Sequence, residues 1–211
     1  QPHMVGRQSA PDGALPCSAT TIQKVKSEEA ERIILGIDPG TTVTGYGLIR
    51  VTGRNPSLIT LGIIDLRKKE DHFRKIRTIF EQTLELIDRY HPDEFAIEAP
   101  FFGKNVQSML KLGRAQGAAI SAALYRDLPV FEYAPRMIKV SITGRGQASK
   151  EQVASMLKTI LSFQSEKMVL DATDALGAAL CHFYQSCKPA AAKEYRNWSD
   201  FIHKNSDRIK G

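Results

Sequence analysis

The sequence predicts an α/β domain, a mixed five-stranded sheet flanked by helices. Two apolar runs, Ile33-Ile34-Leu35-Gly36-Ile37-Asp38 and Glu94-Phe95-Ala96-Ile97-Glu98, have strand length and each ends in a single carboxylate. Other stretches carry apolar residues at i, i+3/i+4 spacing over helix lengths. The resulting order, β-β-β-α-β-α-β-α, requires helices packed on a mixed sheet.

Residues 32–38 read as a buried strand closed by a Pro39-Gly40 turn. Residues 43–52 and 57–66 read as two further strands, with Gly53-Arg54-Asn55-Pro56 as the hairpin turn between them. Residues 70–90 set Phe73, Ile76, Phe80, Leu84 and Ile87 on one stripe, an amphipathic helix that His91-Pro92-Asp93 stops. Residues 94–98 form the fourth strand. Residues 104–126 read as a helix rich in small residues, among them Gly113, Ala115, Gly117, Ala118, Ala119, Ala122 and Ala123. Each helical glycine costs roughly 1 kcal/mol against alanine, so these positions imply that another backbone comes close. That backbone belongs either to the sheet or to a second copy of the helix. Residues 129–133 form the fifth strand, and a short helix starts near Pro135. After a loop at 143–147, Ser149 followed by Gln152 fits a capping box for a helix over about 150–162. Residues 170–186 form the last helix of the core.

The chain has 211 residues, enough for one domain of roughly 150 residues plus tails. The domain is placed at 32–187. Residues 1–31, broken by Gly6, Pro11, Gly13 and Pro16, read as an N-terminal extension; Pro2-His3-Met4 reads as an expression remnant around a start methionine. Residues 188–211 form a basic tail with six Lys/Arg against three acids, and Tyr195, Trp198, Phe201 and Ile202 fall at helical spacing, as in a short docked helix. Composition, 42% hydrophobic and 25% charged, is that of a globular protein. A formal net charge of +6 tolerates a polyanionic partner without requiring one. No apolar run reaches the ~20 residues of a membrane helix, and the N-terminus lacks the apolar core of a signal peptide. Cys17, Cys181 and Cys187 form no CxxC pair and read as free thiols in a reducing compartment, so a cytoplasmic location is expected.

The acids carry the chemistry. A strand ending in a carboxylate puts charge at a sheet rim, where it must be solvated, paired or bound to a metal. Asp171 and Asp174, at i and i+3 of the last helix, share a face. If that helix lies on the sheet, the pair can meet Asp38 and Glu98. Four converging carboxylates repel one another and need divalent cations; hard oxygen donors suit Mg2+ or Mn2+. Two such ions can activate a water and stabilise the leaving 3′ oxygen of a phosphodiester. Each acid also has a plainer reading: Asp38 as a turn residue before Pro-Gly, Asp171 as a helix N-cap, Asp174 as first-turn dipole compensation. Glu98, at the end of an apolar strand, is less easily explained that way.

Several segments resemble one family. Ile34-Leu35-Gly36-Ile37-Asp38-Pro39-Gly40-Thr41 with Thr44-Gly45-Tyr46-Gly47 resembles the opening motif of the RuvC Holliday-junction resolvases. Ala96-Ile97-Glu98 with Phe101-Phe102-Gly103-Lys104-Asn105 resembles their second acidic motif. Leu110-Lys111-Leu112-Gly113-Arg114-Ala115-Gln116-Gly117 resembles the helix that follows, and Asp171-Ala172-Thr173-Asp174-Ala175-Leu176 the C-terminal acidic motif. The resemblance covers about residues 32–187 and implies a ribonuclease-H-like fold, a homodimer, and Mg2+-dependent symmetric nicking of four-way DNA junctions. It also implies two Mg2+ per site, replaceable by Mn2+, and a branch-migration complex of the RuvA and RuvB type as partner. By the same resemblance Asp38, Glu98, Asp171 and Asp174 are the catalytic metal ligands. Phe101 aligns with an aromatic that acts at the junction crossover, and Pro100 before it leaves open an exchange of roles with Phe102. Lys139 and Lys150 align with basic residues of DNA contact and catalysis.

The remaining DNA-contact candidates rest on residue chemistry. Aromatic faces at Phe101 and Phe102 can stack on unpaired bases, at ~1–3 kcal/mol each, although at least one of them is expected to plug the core. Lys104, Lys111, Arg114 and Arg145 can follow phosphates, or simply be solvated. His182, two turns beyond Asp174, reads as a surface or packing residue rather than a metal ligand. Gly36-Ile37-Asp38-Pro39-Gly40-Thr41-Thr42 also resembles the first phosphate loop of actin-like and sugar-kinase ATPases, but the folded part has no second DxG loop and too few residues for a second domain. A catalytically silent nucleic-acid-binding dimer would have no use for four mutually repelling acids. A relative acting on RNA–DNA hybrids shares the acid pattern; the Phe-Phe-Gly-Lys-Asn segment favours the junction enzyme.

Overall fold

The computed structural model describes residues 30–68, 71–100, 105–163, 170–187 and 202. The elements in order are β1 (Glu31–Asp38), β2 (Val43–Thr52), β3 (Asn55–Asp65), α1 (His72–Tyr90), β4 (Glu94–Glu98), α2 (Val106–Tyr125), β5 (Val130–Tyr133), α3 (Pro135–Thr143), α4 (Lys150–Ile160) and α5 (Leu170–Ser186). They build one five-stranded sheet in the order β3-β2-β1-β4-β5. The β1–β2 and β2–β3 pairs are antiparallel; β1–β4 and β4–β5 are parallel. The expected α/β class and mixed sheet are therefore what the chain adopts.

One difference has a physical cause. The hairpin turn is shorter than expected: Gly53, at φ 62°, and Arg54 make it alone. Asn55 and Pro56 already pair with Thr52 and Val51. Proline is tolerated there because β3 is an edge strand and needs no second row of donors. The helix at 150 opens on the expected capping box, with the Ser149 Oγ accepting from the Gln152 N–H at 3.3 Å and the Gln152 Oε1 from the Ser149 N–H at 2.9 Å.

The sheet separates two cores. On one side Leu35, Ile37, Phe95 and Ile97 pack with Ile79 and Ile87 of α1 and the alanines of α2. On the other, Ile34, Ile49 and Ala96 pack with α3, α4 and α5. Strand alternation thus assigns β1 residues 34, 36 and 38 to the α5 side. None of the described helices is long and apolar enough to cross a membrane.

Candidate metal centre

Asp38 and Glu98 are delivered by adjacent parallel strands. Their register runs from Ile34 opposite Glu94 to Ile37 opposite Ile97, so the two acids follow at the same end of the sheet. Both lie on the face of Ile34 and Ala96, the α5 side. Pro39 and Gly40 then turn the chain away. The Thr44 hydroxyl holds that turn, accepting from the Gly40 N–H and donating to the Gly40 carbonyl, each at 3.2 Å.

What brings the other two acids in is a glycine track. A Cβ at Gly36 would collide with the Ala175 carbonyl oxygen and stand 2.8 Å from the Ala179 nitrogen. One at Gly45 would run into the Asp171 carbonyl, and one at Gly47 would stand 2.8 Å from the Leu176 Cα. With Gly36 paired to Gly47 and Asp38 to Gly45 across β1–β2, α5 lies directly on bare backbone. Asp171 and Asp174 in its first turns are thereby set over Asp38, and one carboxylate oxygen from each of the three lies within 4.8 Å of the others. Glu98 borders this trio without joining it at that distance; its charge is felt by Asp38, and that of Asp174 by Glu98.

The electrostatics are those of crowded, half-buried acids. Burial pushes the Asp38 carboxyl up to about 8, reinforced by Glu98, Asp174 and Asp171 and opposed by Lys150. Burial likewise pushes Glu98 up to about 7, reinforced by Asp174 and opposed by Lys150 and Lys139. Lys150, the first residue of α4, places its Nζ 2.5 Å from the Asp174 Oδ2. An all-oxygen set of three clustered carboxylates with a fourth beside them, too crowded to ionise together, fits hard divalent cations.

A stability prediction follows. Ordinary carboxyls titrate near 4, so between about pH 4 and 8 the folded, chelator-treated protein holds protons on Asp38 and Glu98 that the unfolded chain has lost. Stability then falls as pH rises through that window. We expect the melting temperature without metal to drop by about 5 °C or more from pH 5 to pH 8, and Mg2+ at pH 8 to restore most of it. Asp38→Asn should flatten the profile; an unchanged profile in that variant would refute the assignment of the effect to this cluster.

The other expected site residues divide by location. Lys139 is half-buried on α3, near enough to Glu98 to lower its pKa. Arg145 is exposed after Gly144, which closes α3 at φ 72°. Lys111 and Arg114 are exposed on α2, on the far side of the sheet from the acids. Phe101, Phe102 and Lys104 lie outside the described residues, as do Tyr195, Trp198 and Phe201 of the tail; Ile202 is described and exposed. Sequence reasoning missed the turn-holding role of Thr44 and the packing role of the three strand glycines. Glycine inside a strand pattern is the signal for the latter.

The chain as a whole has known relatives. The family model described as crossover junction endodeoxyribonuclease RuvC matches residues 34–182. The crossover junction endodeoxyribonuclease RuvC of Bacteroides fragilis is 61% identical over 191 residues, spanning 90% of this chain and 100% of that protein. The RuvC of Christiangramia forsetii is 57% identical over 182 residues, 86% of this chain and 95% of that one. Among solved structures, Thermus thermophilus RuvC in complex with Holliday junction substrate matches with a TM-score of 0.68 and 32% identity, over 73% of this chain and 94% of that one.

Proposed function

The chain belongs to the RuvC family of crossover junction endodeoxyribonucleases, and on that premise we propose that it resolves four-way DNA junctions by metal-dependent hydrolysis of paired phosphodiesters. The observation that carries the reading is the Asp38, Asp171 and Asp174 cluster at the strand ends, with Glu98 beside it. These four residues would hold two Mg2+, with Mn2+ able to substitute. When bound, such ions activate a water and stabilise the leaving oxygen. Lys150 and Lys139, the cations whose charge reaches the acids, hold the phosphate being cut. Arg145, Lys111, Arg114 and Lys104 follow the DNA backbone, and Phe101 or Phe102 stacks at the opened crossover. A branch-migration motor of the RuvA and RuvB type, in the cytoplasm, belongs to the same reading.

Two symmetric cuts call for two sites, hence a homodimer. The sheet-facing side of α2 is alanine: Ala115, Ala118, Ala119, Ala122 and Ala123 are buried. Gly113 and Gly117 face the other way, with nothing within 4 Å of a Cβ added at either. Between them and Val106, Leu110 and Leu124, all exposed, runs a stripe with small residues at its middle, which supports pairing with a second copy. Leu110→Glu is expected to shift the protein from dimer to monomer in light scattering after size exclusion, with its melting temperature within a few degrees; a dimer of unchanged affinity would place the interface elsewhere.

The test of function uses three substrates with Mg2+: a synthetic four-way junction, a linear duplex and an RNA–DNA hybrid. Paired nicks on the junction alone are expected. An intact junction with a degraded hybrid would sink the proposal.

A further inference from the structure

The acid-bearing helix α5 meets the strands through small residues, with Leu176, Leu180 and Phe183 buried in the core beside them. Ala172, Ala175, Gly177, Ala178 and Ala179 are on it, and the sheet below offers Gly36, Gly45 and Gly47. Such small residues allow close approach but offer few knobs to fix how far a helix sits along its groove. Sliding by one residue would move Asp171 and Asp174 by about 1.5 Å. Beyond the packing of Leu176, Leu180 and Phe183, directional contacts can set that register.

The far half of α5 carries the polar contacts that can. His182 is 2% exposed. Its Nδ1 shares a hydrogen bond of 2.7 Å with the Tyr133 hydroxyl, and its ring stacks on Phe131 at 4.2 Å between centroids. Its Nε2 stands 3.1 Å from the Glu94 Oε2, out of hydrogen-bond alignment. Glu94 is in turn held by the Arg32 guanidinium at 3.1 Å, and Arg32 Nη2 donates to the Ser186 Oγ at 2.7 Å, back on α5. One helix is thus tied to β1, β4 and β5. Two of those tied strands end in Asp38 and Glu98, and Tyr133 is the register partner of Glu98.

We propose that the His182–Tyr133–Glu94–Arg32 clasp is a positioning device for the metal centre, fixing α5 along the sheet so that Asp171 and Asp174 meet Asp38 and Glu98. Its members are positioning residues: they act through the helix and touch no substrate. The inference rests on the metal-site reading above.

The test measures cation binding without DNA, as the Mg2+ or Mn2+ concentration at half-maximal thermal shift. Tyr133→Phe removes one hydroxyl, and His182→Leu removes the hub. Both are expected to raise the half-saturating concentration about tenfold or more, the range seen when groups that orient ligands are lost. His182→Asn, which can still meet the Tyr133 hydroxyl, should recover most of that loss. Ile87→Val thins the core on the opposite side of the sheet and should lower melting temperature without moving metal affinity. If His182→Leu does not fold, Tyr133→Phe alone decides. Loss of melting temperature with unchanged half-saturation in Tyr133→Phe would overturn the clasp and leave the metal site standing. No saturable response in the unaltered protein would overturn both.

Discussion

Asp38→Asn is expected to stop cutting while leaving junction binding intact. Asp38 is the point on which the site converges: it ends β1, it belongs to the clustered trio, and Glu98, Asp174 and Asp171 all raise its pKa. Asparagine keeps the shape and removes the charge that a divalent cation needs. The loss should be at least about a thousandfold in the rate of nicking, equivalent to about 4 kcal/mol of barrier. Binding should hold or tighten, because one negative charge beside the DNA phosphates is gone. Gel shifts in Ca2+ or chelator, beside single-turnover cutting in Mg2+, separate the two. A variant that cuts within tenfold of the parent would remove Asp38 from the metal set. The same substitution should raise stability without metal at pH 8, since a carboxyl forced up to about 8 is one the fold accommodates poorly. Activity and stability would then move in opposite directions, as expected where a strained polar site serves function.

Much of this was legible in the residues, for reasons that differ by element. Residues 43–52, 94–98 and 170–186 were bounded correctly because period, punctuation and length agree there. Pro56 was misplaced because local turn chemistry cannot tell that its strand lies at an edge. The convergence of Asp38 with Asp171 and Asp174 was anticipated from their positions at element ends. The distance of Glu98 from the trio was not, since it depends on where α5 settles along the sheet. That setting depends on contacts such as Tyr133 to His182, 49 residues apart in sequence, which no local pattern encodes. The two glycine-rich regions show the same limit from the other side. Both are visible in the sequence, but only the fold reveals that one is covered and the other open.

That contrast supplies the second large effect. Gly36→Ala should cost about 3 kcal/mol and lower the melting temperature by roughly 6–12 °C. The added methyl meets the Ala175 carbonyl and the Ala179 nitrogen, which are backbone and cannot rotate away. Relief requires lifting α5 as a unit. Because α5 carries Asp171 and Asp174, the lift opens the acid cluster. Protein that still folds should therefore need more Mg2+ for half-maximal cutting, beyond what its lower stability explains. Gly113→Ala, with the same change in composition, should behave oppositely in the monomer. Its methyl meets nothing within 4 Å and alanine is the better helix former by about 1 kcal/mol, so thermal stability of a Leu110→Glu monomer should rise. In the parent background the same methyl would stand in the proposed interface and weaken dimerisation. If Gly36→Ala melted and cut like the parent, the glycine track would not be what seats the acids. A rise in stability from Gly113→Ala with no change in dimer affinity would show that α2 meets no second helix at that point.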